Sequence, residues 1–280
     1  MTTRLEVWGD PIEHSLSPVL HGAAYRHLGW EWDYARRRVA DWMFADELAA
    51  LGAEFRGLSC TMPLKGEAHR AAVWHDSRAR VTGAVNTLLL DAELAPDGPR
   101  GFNTDVGGIV RALAEAGVPT VPDGRIVGAG ATATSALVAL AEVGARYVEV
   151  VARRPLTVAP LEALGEQLGV EVHPVPFDAP AHAPLAVTVA TLPGGARVSA
   201  PTAEALATAG GTLLDVVYGR GTTDLAQAWA SAGLPAVDGL GMLLHQAVLQ
   251  IRIFSTGEVD APLPDEAAVV DVMRRAVMGD

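Results

Sequence analysis

Between Arg125 and Arg154 the chain passes from a short apolar segment, Arg125 to Val127, through Gly128-Ala129-Gly130 into an Ala-rich stretch. A second apolar segment, Tyr147 to Val151, follows. Two apolar runs too short for helices, joined by a helical stretch of crossover length, make a β–turn–α–β unit with parallel strands. Gly128, Gly130 and Ala133 fit G-x-G-x-x-G/A at its turn. The first glycine permits the tight bend, the second lets backbone approach a pyrophosphate, and the small third residue allows close helix–strand packing. The helix that follows presents unpaired N–H groups to phosphate. A glycine pair alone arises easily in an Ala- and Gly-rich chain. The second strand, ending about 20 residues later, supplies the context such a turn needs.

The tip of that second strand reads Val151-Ala152-Arg153-Arg154, with no carboxylate. An Asp or Glu there would bind a ribose 2′-OH, whereas Arg suits a 2′-phosphate, with which it pairs bidentately. In a chain of formal charge −12 two adjacent arginines at this position are informative. The sequence therefore points to NADP rather than NAD.

The rest of the chain alternates short apolar runs with helical stretches, which predicts an α/β protein of mostly parallel strands. Strands are expected at Leu5 to Trp8, Arg56 to Cys60, Val85 to Leu90, Leu185 to Ala190 and Leu213 to Val217. Helices are expected at Pro18 to Leu28, from near Leu64, at Val106 to Ala116 ending at Gly117, at Met242 to Phe254 and at Asp265 to Val277. Residues 118–124, with two Pro and a Gly, read as a linker. A length of 280 residues with half of them apolar suits two ordinary domains. No stretch is apolar enough for a membrane span, the N-terminal residues include Arg4, Glu6 and Asp10, and Cys60 is the one cysteine; a cytoplasmic protein is expected. The net negative charge argues against nucleic-acid or anionic-membrane partners. The eight histidines show no H-x-x-x-H spacing, so no metal site is expected.

Of 21 Lys and Arg residues, twenty are Arg, and Lys65 is the one Lys. It lies in Thr61-Met62-Pro63-Leu64-Lys65, in the first turn of an expected helix. A cation there opposes the helix dipole, so helix stability alone would place it elsewhere. Lys offers a compact ammonium able to exchange its proton, which Arg does not. Asp105, in Asn103-Thr104-Asp105, opens another helix, where an N-cap is its plain role. A Lys–Asp pair on facing loops would suit protonation of a carbonyl oxygen while hydride reaches its carbon. Ser15-Leu16-Ser17-Pro18 places Ser17 at an expected N-cap and Pro18 at N1. The pattern suits either a well-capped helix or a small carboxylate site.

Taken in order, these blocks resemble the shikimate dehydrogenase family over essentially the whole chain. They are Gly9-Asp10-Pro11-Ile12-Glu13-His14-Ser15-Leu16-Ser17-Pro18, Gly57 to Lys65, Gly83-Ala84-Val85-Asn86-Thr87, Gly101-Phe102-Asn103-Thr104-Asp105, Asp215-Val216-Val217-Tyr218 and Gly239 to Gln246. The resemblance implies an N-terminal α/β substrate-binding and catalytic domain of residues 1–105 completed by 239–280. Around residues 106–238 it implies a doubly wound, Rossmann-type NADP domain. It gives Lys65 and Asp105 the catalytic roles. Ser15, Ser17, Thr61, Asn86, Tyr218 and Gln246 are the implied substrate contacts. Gly128, Gly130, Ala131, Ala133, Arg153, Arg154, Thr191, Gly239 and Met242 are the implied cofactor contacts.

The chain departs from the family pattern at several points. Ser59-Cys60 stands where the family usually has Asn-Val, and Ala131 stands where a further Gly is usual. Val189-Ala190-Thr191-Leu192-Pro193 replaces a usual Asn-Ala-Thr-Ser, and Ala152-Arg153-Arg154 replaces Asn-Arg-Thr. The activity implied is reversible NADPH-dependent reduction of 3-dehydroshikimate to shikimate in aromatic amino acid (chorismate) biosynthesis, by a monomer or homodimer acting on a small molecule. A quinate/shikimate dehydrogenase and a non-catalytic shikimate-binding regulator are the alternatives; intact Lys65, Asp105 and glycine turn speak against the second.

Overall fold

Short apolar runs separated by helices fold, in a computed structural model, into two compact units: Met1–Asp105 with Leu243–Asp280, and Val106–Met242. The structure describes residues 3–179, 182–219 and 221–278. In the first unit the strands are β1 (Thr3–Gly9), β2 (Trp32–Arg38), β3 (Phe55–Cys60), β4 (Trp74–His75), β5 (Thr87–Leu89) and β6 (Arg100–Phe102). Its helices begin with α1 (Ser17–Leu28), α2 (Phe44–Ala49), α3 (Lys65–Ala71) and α4 (Ser77–Thr82); α5 (Thr104–Glu115) carries the chain into the second unit. There follow β7 (Asp123–Val127), α6 (Ala131–Glu142), β8 (Tyr147–Ala152), α7 (Ala159–Leu168), β9 (Glu171–Pro176), β10 (Val187–Ala190), α8 (Ala200–Thr208), β11 (Thr212–Asp215), α9 (Asp224–Ser231) and β12 (Ala236–Val237). Helices α10 (Leu240–Thr256) and α11 (Glu266–Met278) return the chain to the first unit.

The first sheet has the order β2-β1-β3-β5-β6-β4. It is mixed: β5 runs antiparallel to both β3 and β6. Alternation along β1 sends Leu5 and Val7 into one core, with Tyr25, Ile251 and Phe254, and Trp8 into the other, with Phe44, Leu58 and Leu64. The edge strand β2 escapes a search for apolar runs because it reads WDYARRR. Only Tyr34 in it is buried, and Arg36, Arg37 and Arg38 line an edge that charge protects from further pairing.

The second sheet has the order β12-β11-β10-β7-β8-β9 with every pairing parallel. This is the doubly wound arrangement, and its strand order reverses between β7 and β10, where such sheets bind ligands beyond their C-terminal ends. Burial on both faces explains the continuous Val, Ile and Leu runs: Ile126, Val150 and Val189 face one core, Val127, Val151 and Leu213 the other. One polar exception is Arg125, fully buried and paired to Glu149 at 2.9 Å. The Pro-containing residues 118–122 form the loop from α5 to β7 inside this unit.

Candidate active site

Lys65 and Asp105 meet in the first unit. The turn after β3 is closed by Thr61 N–H on the Trp8 carbonyl at 2.9 Å and by Leu64 N–H on the Thr61 carbonyl at 2.7 Å. This delivers Lys65 as the first residue of α3. Gly9 opposite has to be glycine: a Cβ there would lie 2.4 Å from Thr61 Cγ2. Asp105 is the second residue of α5, and its backbone N–H is taken by Asn103 Oδ1 at 3.1 Å. With Asn103 supplying that local bond, the Asp105 carboxylate is released for other partners. Lys65 Nζ donates to Oδ2 at 2.5 Å and Asn86 Nδ2 donates to Oδ1 at 2.8 Å. The two side chains are only 14% and 8% exposed, so the pair is poorly screened by solvent.

Around the pair the structure assembles further predicted residues. Asn86 Oδ1 accepts the Thr104 backbone N–H at 2.9 Å, which fixes its amide with the nitrogen toward Asp105. Gln246 Oε1, on α10, lies 3.4 Å from both Asn86 Nδ2 and Thr104 Oγ1, and its Nε2 donates to the Leu243 carbonyl. Lys65, Asn86, Thr104, Asp105 and Gln246 thus form one bonded cluster.

Ser15 and Ser17 sit at the start of α1. The expected N-cap is corrected here: Leu16 occupies that position with no side-chain cap bond, and Ser17 is the first helical residue. Ser15 Oγ instead accepts the Ser17 N–H at 3.3 Å. Ser17 is buried. Ser15 is half-buried, as is Thr61.

Several residues of this region are not among the expected contacts. Tyr34 donates to Ser59 Oγ at 2.6 Å, and Ser59 donates to Gln250 Oε1 at 3.0 Å. His21 stacks on Tyr34 at 3.9 Å and approaches Gln250 Oε1 at 3.3 Å. Burial pushes its imidazole down to about 3. The available signal for Gln250 is its spacing: it follows Gln246 by four residues in a largely apolar helix, which puts both amides on one helix face. The Tyr34 and Ser59 contacts leave no local trace, since they join β2 to β3 across a long separation.

The second unit holds the glycine turn. Gly128 follows β7 with φ +120°, and a Cβ there would lie 2.5 Å from Oγ1 of Thr191, which follows β10. Thr191 is itself tied to the Val127 carbonyl through N–H at 2.9 Å and Oγ1 at 3.1 Å. Gly130 is the N-cap of α6, without a side-chain cap bond, and faces open space. Ala131 begins the helix, and Ala133 is fully buried in the core. An uncapped helix start behind two glycines at the switch point of a parallel sheet has the form a pyrophosphate requires. Arg153 and Arg154 are exposed at the end of β8. Tyr218 follows β11 and is half-buried. Gly239 packs so closely that a Cβ would lie 2.1 Å from the Val216 carbonyl oxygen, and Met242 is buried in the adjoining core. Asp215 is pushed up by burial, while bonds from Thr223 Oγ1 and the Val217 N–H pull it down.

Among the described residues no group of three His, Cys, Asp or Glu is placed to hold a metal ion. None of the described helices is long and apolar enough to cross a membrane.

Comparison with known proteins gives a consistent picture. The family model described as shikimate dehydrogenase substrate binding domain matches residues 7–88. The shikimate dehydrogenase (NADP(+)) of Methylobacterium radiotolerans is 37% identical over 257 residues, 88% of this chain and 89% of the relative. The crystal structure of Mycobacterium tuberculosis shikimate dehydrogenase is similar with a TM-score of 0.84 and 38% identity, covering 97% of this chain and 99% of that one. Shikimate 5-dehydrogenase from Thermus thermophilus, solved in complex with NADP(H) and shikimate, has a TM-score of 0.78 at 31% identity, covering 99% and 100%.

Proposed function

The chain belongs to the shikimate dehydrogenase family, and from that premise we propose that it is an NADP-dependent oxidoreductase interconverting 3-dehydroshikimate and shikimate in chorismate biosynthesis. The observation that carries this reading is the contact of Lys65 Nζ with Asp105 Oδ2 at 2.5 Å, in a chain that otherwise uses arginine.

Residues of the first unit bind the substrate. Ser15 and Ser17 take its carboxylate, and Thr61, Asn86 and Gln246 contact the carboxylate or the ring hydroxyls. Bound NADPH supplies the hydride that reduces C3. As the C3 oxygen gains charge, the Lys65 ammonium stabilises it, a contribution of several kcal/mol where charges are poorly screened. A proton then passes to that oxygen from the Lys65–Asp105 pair. Asn86 keeps the carboxylate from rotating away while this happens, which conserves the geometry that proton transfer needs.

The cofactor is assigned to the second unit. Gly128, Gly130 and Ala131 cradle the pyrophosphate, with Ala133 letting the helix pack closely on the sheet and Thr191 holding the turn closed. Arg153 and Arg154 meet the 2′-phosphate, and Gly239 with Met242 border the nicotinamide. The absence of a Gly at position 131 leaves this cradle intact, because Ala131 already lies in the helix. The protein is assigned to the cytoplasm, as a monomer or homodimer. A reducing compartment agrees with Cys60, which is buried in the core with its thiol pushed up to about 12.

The test is an absorbance assay at the nicotinamide band, with shikimate or quinate against NADP+ or NAD+. Shikimate with NADP+ is expected to give the largest kcat/KM of the four combinations. No turnover with shikimate and either cofactor would overturn the proposal.

A further inference from the structure

Gln250 is 1% exposed, in a stretch of α10 whose neighbours Ala247, Val248, Leu249, Ile251 and Ile253 are all buried and apolar. A leucine would fill this space. A buried amide is costly unless its donors and acceptor are matched, and here they are. Its Oε1 accepts from Ser59 Oγ at 3.0 Å and from His21 Nε2 at 3.3 Å. His21 can donate from Nε2 because Nδ1 accepts the Tyr25 hydroxyl at 2.9 Å. With the oxygen so committed, Nε2 turns to the Asn86 carbonyl at 3.2 Å and to Thr87 Oγ1 at 3.0 Å. Thr87, having accepted that bond, donates its own proton to Asn86 Oδ1 at 2.9 Å. The remaining side of the Asn86 amide is Nδ2, which donates to Asp105.

These bonds form one series running in a single donor-to-acceptor sense: Tyr34, Ser59, Gln250, Thr87, Asn86, Asp105. Its end touches Lys65. Reversing any amide along it would set donor against donor and acceptor against acceptor in a buried site.

We propose that Gln250, acting with Ser59 and through Thr87, is a positioning residue that sets the orientation of Asn86 and thereby holds the Asp105 carboxylate toward Lys65. Ser59 belongs to this arrangement as a short hydroxyl that fits between Tyr34 and Gln250. Its place in the chain, where the family usually carries Asn, is therefore used for the support of the site. The inference rests on the proposed shikimate-oxidising activity.

Two variants cut the same link from opposite ends with little change of volume: Gln250→Met, and Thr87→Val, which retains the shape of the side chain. Each is assayed with shikimate and NADP+, and kcat is expressed per folded molecule. Each is expected to lower kcat on the order of tenfold, as slight misplacement of reacting groups does, with the KM for NADP+ within about twofold of the parent. The double variant is expected to lose no more than the worse single one, because both remove one connection. If Gln250→Met fails to fold, Thr87→Val carries the test alone. A kcat within about twofold of the parent in either folded single variant, or losses that multiply in the double variant, would overturn the inference. An unmodified chain without shikimate turnover would instead overturn the functional reading, and this inference with it.

Discussion

Asn86 and Lys65 divide the Asp105 carboxylate between them: Asn86 Nδ2 holds Oδ1 at 2.8 Å and Lys65 Nζ holds Oδ2 at 2.5 Å. Each donor fixes the oxygen the other leaves, so the carboxylate has one orientation without a direct bond to the α5 backbone. Asn86→Ala should therefore free Asp105 to rotate. We expect kcat/KM for shikimate to fall roughly 10–100-fold, with the KM for NADP+ little changed. Steady-state kinetics at saturating NADP+ check this. An unchanged kcat/KM would mean that the bond to Asn86 plays no part in turnover.

Arg153 is expected to read the 2′-phosphate that distinguishes NADP from NAD. Arg153→Ala should weaken NADPH much more than NADH, because the lost contact is a charged one present in only one of the two. Fluorescence titration with each cofactor measures the pair of dissociation constants. Equal weakening would assign Arg153 to some feature common to both.

Gly128 combines a positive φ with a Cβ position 2.5 Å from Thr191 Oγ1. Gly128→Ala must strain the backbone and displace a side chain already bound to the Val127 carbonyl. We expect a loss of stability of about 1–3 kcal/mol and a raised KM for NADP+. Urea unfolding and cofactor titration report the two effects, and a variant with parental values in both would show that the turn tolerates a side chain.

His21 titrates far below an ordinary histidine, at about 3, because it is fully buried; its bond to Gln250 opposes the shift only in part. An unfolded chain would protonate the same ring near pH ~6.5. Between these values the unfolded state binds a proton that the folded state does not, so folding stability falls as pH drops from about 6.5 toward 3. The contribution of one such group approaches about 1.4 kcal/mol per pH unit. Urea midpoints between pH 7 and pH 4 should fall more steeply for the parent than for His21→Gln. Parallel profiles would contradict the assignment.

Much of this architecture is legible in the amino-acid pattern where structure is locally dictated. The apolar runs of β7, β8, β10 and β11 are buried on both faces, and the glycine turn has steric requirements that a short sequence expresses. Lys65 is conspicuous because arginine replaces lysine everywhere else. Edge strands were less readable: β2 has one buried side chain in seven, and β9 contains Pro174 and Pro176, which its position at a sheet edge tolerates. The sequence misleads at the cap of α1, since Ser17 looks like a capping residue yet is the buried first residue of the helix. The support beneath the site leaves a single trace in the sequence, the four-residue spacing of Gln250 from Gln246. Gln250, Ser59 and Tyr34 come from three elements distant in the chain, and only folding brings them together.

The participation of Lys65 is most directly tested by measuring kcat for shikimate oxidation in Lys65→Ala beside the parent protein, with NADP+ saturating. Removing a positioned ammonium should lower kcat by about 10²–10⁴-fold while NADP+ binding stays nearly as it was. A Lys65→Ala protein turning over shikimate within a few-fold of the parent rate would contradict the account.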